Sequence, residues 1–282
     1  EAEYTNRQLE TYLTYDKTFA DIHHLNVLGG YSYMDNVAEG FGATRSGFDT
    51  NAFIYNNLGA GTDYRQGDVY SYKNSCKLIS FYGRVNYGLM DKYMITATIR
   101  RDGSSRFGAD HKWGTFPSVS VAWRIINEKF MEGTHSWLDN LKLRVGYGIT
   151  GNQNGVDPYK SLSVLSSAGA SYYDAATGTW KNSYVQAQNA NPDLKWESTA
   201  QFNVGIDFGF LNRINGSLEF YHKKTSDLLW TYPVPQPPYL VGTMLANVGD
   251  MVNKGVELTL GANIVRTKDF SLSANASLAY NK

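Results

Sequence analysis

The chain has 282 residues, and its 26 Lys and Arg balance 26 Asp and Glu. Aromatics reach 14% and charged residues only 18%, which excludes a disordered chain and a phosphate-neutralising nucleic-acid binder. The single cysteine, Cys76, rules out an internal disulfide framework or thiolate metal cluster, and no run approaches the roughly 18 apolar residues of a spanning helix.

The opening EAEYTNRQLETYLTY has neither a basic n-region nor an apolar h-region. The far end, SLSANASLAYNK, stops in full strand alternation. The chain therefore reads as an internal segment of a longer protein, with 1–282 one partial β domain. Weak alternation appears in 4–15 and 22–34. It becomes clear in Lys77–Leu89, where Ile79, Phe81, Val85, Tyr87 and Leu89 alternate with Ser80, Tyr82, Arg84 and Asn86. Tyr93, Ile95, Ala97 and Ile99 resume it opposite Thr96, Thr98 and Arg100. It recurs weakly in 118–125, then in Leu141–Ile149, in Ala200–Phe208, weakly in 213–224, in Val256–Ile264 and in Phe270–Tyr280. Successive side chains of a strand point to opposite faces, so each run carries one apolar and one polar face. This predicts about ten strands of about 9–13 residues. Helical spacing is confined to a short turn within Asn127–Asp139.

The predicted connections alternate in length. Short ones fall near 16–21, 91–92, 126–139, 209–213 and 265–269; long ones fall near 35–76, 102–117, 151–193 and 226–251. Antiparallel strands then put every short turn at one end and every long loop at the other, the layout of an outer-membrane barrel. Tyr12, Tyr15, Phe19, Tyr87, Tyr93, Trp123, Phe130, Phe208 and Phe210 crowd the short turns, as rings at headgroup level do. The fold expected is an all-β, antiparallel, up-and-down transmembrane β-barrel in contact with outer-membrane lipid. The competing reading is a soluble or surface-attached β-rich carbohydrate-binding module, in which a second sheet would cover the apolar faces.

In a barrel the polar faces line the lumen. One half brings Tyr82, Arg84, Arg100, Arg124, Lys142 and Arg144; the other brings Glu197, Gln201, Asn203, Asp207, Glu219 and Glu257. A basic arc beside an acidic arc would pair charges between neighbouring strands or grip something inside. RDGSSRFG at 101–108 reads as a polar loop with a turn at Asp102-Gly103. The long loops carry Tyr55, Tyr64, Tyr70, Tyr172, Tyr173, Trp180, Trp230, Tyr232 and Tyr239. PVPQPPY at 233–239 is expected to be stiff and extended.

Four stretches, ISFYGRVNYGLMDKYMITATIRRDGSSRFGADHKWGTFPSVSVAWRIINEKFM (79–131), LDNLKLRVGYGITGNQNGVDPY (138–159), NPDLKWESTAQFNVGIDFGFL (191–211) and NVGDMVNKGVELTL (247–260), closely resemble the SusC/RagA-type TonB-dependent transporters of Bacteroidetes outer membranes, in that family's order and spacing. The resemblance implies a 22-stranded barrel around an N-terminal plug, of which this chain would be a middle section of wall. It implies import of an oligosaccharide or peptide with a SusD-like surface lipoprotein, driven by the TonB-ExbB-ExbD complex through the N-terminal part. The polar-face residues above become lumen or plug-facing candidates. Tyr172, Tyr173, Trp180, Trp230 and Tyr239 become external-loop candidates for substrate or partner contact.

Signals of catalysis are poor. His23 and His24 are adjacent and point to opposite faces of a strand; His111, His135 and His222 have no ligand spacing. Neither a nucleophile elbow nor a P-loop occurs. The expectation is a non-enzyme with no cofactor, no metal and no nucleic-acid partner.

Overall fold

A computed structural model describes residues 1–65 and 67–282. Ten strands form one antiparallel sheet: β1 (Ala2–Phe19), β2 (His23–Ala43), β3 (Val69–Leu89), β4 (Tyr93–Ser104), β5 (Trp113–Arg124), β6 (Leu138–Asn152), β9 (Glu197–Phe210), β10 (Ile214–Ser226), β13 (Met251–Arg266) and β14 (Ser271–Asn281). They pair in sequence order, as an up-and-down wall requires. Two further hairpins, β7 (Val164–Asp174) with β8 (Thr179–Gln188) and β11 (Leu229–Pro233) with β12 (Thr243–Asn247), are inserted in the connections β6–β9 and β10–β13.

Three of the short turns share one construction. Ala20-Asp21, Met90-Asp91 and Leu211-Asn212 all have φ between 48° and 59°. Each turn is closed by a backbone bond, Ile22 N to Phe19 O, Lys92 N to Leu89 O and Arg213 N to Phe210 O. Positive φ at both central residues is the type I′ geometry, whose twist matches that of the strands it joins. Asp or Asn at the second position tolerates the left-handed region better than most side chains.

The register sorts the wall's residues onto two faces. One carries Leu25, Tyr87, Ile95, Val121, Val145, Val204 and Phe220, aligned strand by strand. The other carries Asn26, Asn86, Thr96, Ser120, Gly146, Asn203 and Tyr221 in an equally unbroken row. Among the described residues no second layer covers the apolar face, and Val85, Val121 and Phe220 lie exposed on it. A soluble sandwich would press that face against a partner sheet.

Aromatic rings bound the apolar band on both sides. Near the short turns Tyr93 stacks on Trp123 and Trp137 on Phe210, the latter with centroids 6.0 Å apart and planes 4° from parallel. On the other side Tyr31, Phe81 and Trp113 form a chain with centroids 5.3 and 6.3 Å apart. Beyond them the same face turns charged, with Arg7 and Lys77 flanking Asp35, and Lys73 paired with Glu39 at 2.5 Å. An apolar band between two aromatic girdles is the signature of a barrel wall in lipid.

The structure corrects several expectations. β2 and β3 each run for 21 residues, so much of the expected loop 35–76 is strand. At about 3.3 Å per residue such strands far exceed the band and project beyond it. Asp102-Gly103 lies inside β4, not in a turn, because Asp102 is buried and pairs with Arg100. The β4–β5 connection then shrinks to 105–112, shorter than 125–137 at the opposite end, so the length asymmetry is not strict. The helical turn appears as two 3₁₀ turns, Ile125–Asn127 and Lys129–Thr134. PVPQPPY closes the β11–β12 hairpin as a turn, with Val234 N bonded to Gly242 O, and is not extended. Tyr12 aligns with Gly30 and Tyr82 on the polar face and takes no part in the girdle.

Candidate functional site

The basic and acidic arcs meet where β6, β9 and β10 lie side by side. Arg144 donates to both carboxylate oxygens of Asp207, from Nε at 3.0 Å and Nη2 at 2.9 Å, and Nη2 reaches Glu219 at 3.4 Å. Lys142 lies 3.1 Å from Asp207, and Asn203 donates to Glu219 at 3.4 Å. A Cβ on Gly205 would stand 2.9 Å from Arg144 Nη2, so the missing side chain is what lets the guanidinium cross β9. Charges confined on one face settle by pairing across strands, as the bidentate Arg–carboxylate fork does well. Arg124 aligns with Lys142 at one end of this cluster, and Glu257 aligns with Glu219 at the other.

The remaining predicted residues divide by height. Arg100 forks onto Asp102 and reaches Ser80 at 2.9 Å; Tyr82 donates to Glu10 at 2.9 Å. Arg84 lies between Leu28 and Thr98 in the same row. Gln201 and Asn203 line a groove of about 400 Å³ whose floor is Ser118, Ser120, Gly146 and Gly148. Glu197 is not a free lumenal carboxylate. It accepts from Asn152 at 3.0 Å and from the backbone N–H of Leu229 at 3.3 Å, tying two connections together at the long-loop end.

That end holds a dry core. Phe107, Phe116, Val156, Leu194 and Trp196 are buried together, with Leu78, Ile149, Leu229 and Leu245 packed against them. Phe107 and Phe116 lie against Trp196 with centroids 4.8 and 5.4 Å away, and the indole N–H donates to Lys112 O at 3.0 Å. Three asparagines knit the loops. Asn189 donates to Thr243 O at 3.0 Å, Asn191 to Leu245 O at 2.9 Å, and Asn247 to Lys195 O at 2.8 Å and Asp227 O at 2.9 Å. Gly108 is obligatory here, since a Cβ would fall 1.6 Å from Pro192 O. Of the external aromatics, Tyr173 and Trp180 pair across the β7–β8 hairpin at 5.5 Å, and Tyr172 beside them is exposed. Trp230 is exposed on β11, and Tyr239 is half-buried just past the tip turn.

The family described as TonB dependent receptor-like, beta-barrel matches residues 2–282. The chain belongs to that family. It is 39% identical over 280 residues to the TonB-dependent receptor P3 of Formosa agariphila and 40% identical over 220 residues to the TonB-dependent receptor SusC of Bacteroides thetaiotaomicron. These alignments cover 99% and 77% of this chain, but only 27% and 21% of the relatives. The wall superposes on the structure of the RagAB peptide transporter with a TM-score of 0.86 at 28% identity, covering 99% of this chain and 30% of that one. As a stretch of TonB-dependent receptor barrel, the sheet lies in the outer membrane. Its apolar face meets lipid, its polar face the lumen, its short turns the periplasm and its capped end the outside.

At the periplasmic girdle of this receptor barrel, the sequence hides one further polar centre. Glu128, between the two 3₁₀ turns, accepts from the Tyr93 hydroxyl at 2.6 Å, the Trp123 indole at 3.1 Å and Lys92 at 3.0 Å. These bonds, the tyrosine's foremost, hold its carboxyl down at about 2. Spacing alone gives no hint of it, because its partners come from two strands and a turn. The Phe107–Trp196 core was equally hidden. Its members lie singly in or beside separate connections, so no periodicity joins them.

Proposed function

We propose that this segment is one stretch of the wall of a larger, plugged barrel that imports oligosaccharides or peptides through the outer membrane. β1 and β14 are the outer strands of the sheet, and open edges in hydrocarbon leave backbone groups unpaired at several kcal/mol each. Further strands therefore close the barrel, and an N-terminal plug fills it. A SusD-like surface lipoprotein delivers cargo to the external end, and the TonB-ExbB-ExbD complex supplies the force through the plug. No residue of this stretch is assigned a chemical step.

The observation that carries this reading is the division of the sheet into a lipid band between two aromatic girdles and a charged, cross-paired face that a solvated lumen accommodates. The capped external end favours a partnered importer over an open pore, because its loops are organised by a core of their own. The exposed Tyr172, Tyr173, Trp180 and Trp230 are offered to the cargo or lipoprotein, while Arg124 and Glu257 are offered to the plug.

The test uses the full-length protein in its own cells. Deletion of the gene is expected to abolish uptake of one class of labelled oligosaccharide or oligopeptide, and affinity purification is expected to recover a surface lipoprotein. Uptake of every probe unchanged by deletion, or purification of a lone barrel, overturns the proposal.

A further inference from the structure

The structure places rings over glycines on the lumenal face of β1–β4. Tyr82 aligns with Gly30 and lies across it, so that a Cβ on Gly30 would come within 2.4 Å of the ring. The same device recurs nearer the mouth, with Tyr72 over Gly40 and Tyr70 over Gly42. A tyrosine laid flat on a wall presents its π-face to whatever occupies the lumen.

At Tyr82 this platform is part of a groove of about 310 Å³. Tyr12, 62% exposed, and Glu10 stand on its β1 side; Arg84, Thr98 and Arg100 stand on the other. One oxygen of Glu10 accepts from the Tyr82 hydroxyl at 2.9 Å, which fixes the ring and leaves the second oxygen open. Arg100 is committed to Asp102 and Ser80, and its guanidinium stands over the Tyr82 ring, 5.7 Å from the centroid, so it bounds the aromatic surface on the β4 side. Arg84 makes no side-chain hydrogen bond or ion pair with another described residue, so its donors are open.

We propose that this groove is a pyranose subsite for the cargo of the importer. The lining combines flat aromatic surface with an open carboxylate acceptor and an open guanidinium donor. A pyranose has the complementary chemistry, C–H groups on one face and hydroxyls that both donate and accept around the rim. An apolar peptide side chain would find only Leu28 as aliphatic lining. An anionic ligand drawn to Arg84 would meet Glu10. The size is at the lower end of small-molecule sites and suits one sugar ring.

This inference rests on the import reading, and the experiment separates the two. Purified full-length protein in detergent is titrated with maltohexaose, laminarihexaose, xylohexaose and hexaalanine by calorimetry, and uptake of the same probes is measured in cells. Wild type is expected to bind at least one hexasaccharide. Tyr82→Ala is expected to weaken that binding about tenfold by removing the stacking surface. Arg84→Ala is expected to weaken it by a similar factor, while Tyr82→Phe, which keeps the ring, stays within about twofold of wild type. Heat-dependent migration on gels confirms that each variant is a folded barrel. Hexasaccharide binding and uptake unchanged in both Tyr82→Ala and Arg84→Ala overturns the subsite and leaves import standing. Binding of hexaalanine alone overturns the sugar assignment. Failure of wild type to bind or take up any probe overturns the subsite together with the import reading.

Discussion

The membrane wall and the external cap solve the same problem in opposite ways. In the wall, Val85, Val121 and Phe220 stay exposed on the apolar face, and lipid takes the place of a core. Backbone groups pair only with the next strand, and side chains add girdle stacking and cross-strand charge pairs. In the cap, Phe107, Leu194 and Trp196 are buried against one another, and asparagine side chains satisfy backbone carbonyls that no ladder reaches. The contrast shows that apolar residues in one chain can be specified for two solvents. Those on the wall answer to bilayer thickness, and those in the cap to packing density.

Substitutions in the two regions should therefore fail differently. Trp196→Ala removes the centre of the cap, and large-to-small changes of this kind cost about 3–5 kcal/mol. In full-length protein the external loops should become protease-sensitive while the barrel keeps its heat-modifiable gel shift; loss of both together would show that cap and wall are one cooperative unit. Val204→Arg, in the lipid band, should cost about 2–4 kcal/mol, read as a lower urea midpoint for folding into vesicles with no added loop cleavage. A tolerated arginine there would mean that this face does not meet acyl chains. Asn247→Ala strips two donors from Lys195 O and Asp227 O and should cost about 1–3 kcal/mol. Limited proteolysis between β10 and β13 would report it, and an unchanged pattern would assign the knitting to the apolar core alone.

The smallest effect belongs to the periplasmic girdle. Glu128 has its carboxyl depressed from 4.5 to about 2 in the folded barrel. A depressed carboxyl stabilises the fold above its unfolded value and loses that contribution as pH falls toward the folded one. Wild type should be more stable than Glu128→Gln by a constant margin above pH 4.5, and the margin should close as pH approaches about 2. A margin independent of pH over that range would mean that the carboxylate charge is not what Tyr93 and Trp123 hold.

The wall was legible in the sequence because period-two alternation is a direct trace of a two-faced strand, as in Ile79–Leu89 or Ala200–Phe208. Strand ends were less so. The upper parts of β2 and β3 leave the bilayer, and their outward residues Asp35, Glu39, Lys73 and Lys77 mimic loop composition while the backbone stays paired. The polar-face assignment of Arg144 and Glu219 followed from parity, but their meeting through Asp207 depended on register, which no single strand encodes. The cap was hidden because its contacts join residues as distant as Asn191 and Leu245, each in a stretch without periodicity. Glu10 and Gly30 were passed over for a related reason. The ring that connects them, Tyr82, belongs to a third strand.

One unbroken line of paired residues crosses all ten strands: Thr18, His24, Gly88, Met94, Ala122, Arg144, Gly205, Glu219, Glu257 and Ala279. Thr18 lies one residue from the periplasmic end of its strand and Ala279 lies eight. The line is a ramp that climbs by roughly 20 Å, at about 3.3 Å per residue, and not a collar at one depth. A body inside the barrel that touches Thr18 at one end of this line and Ala279 at the other therefore meets them at different depths of the wall.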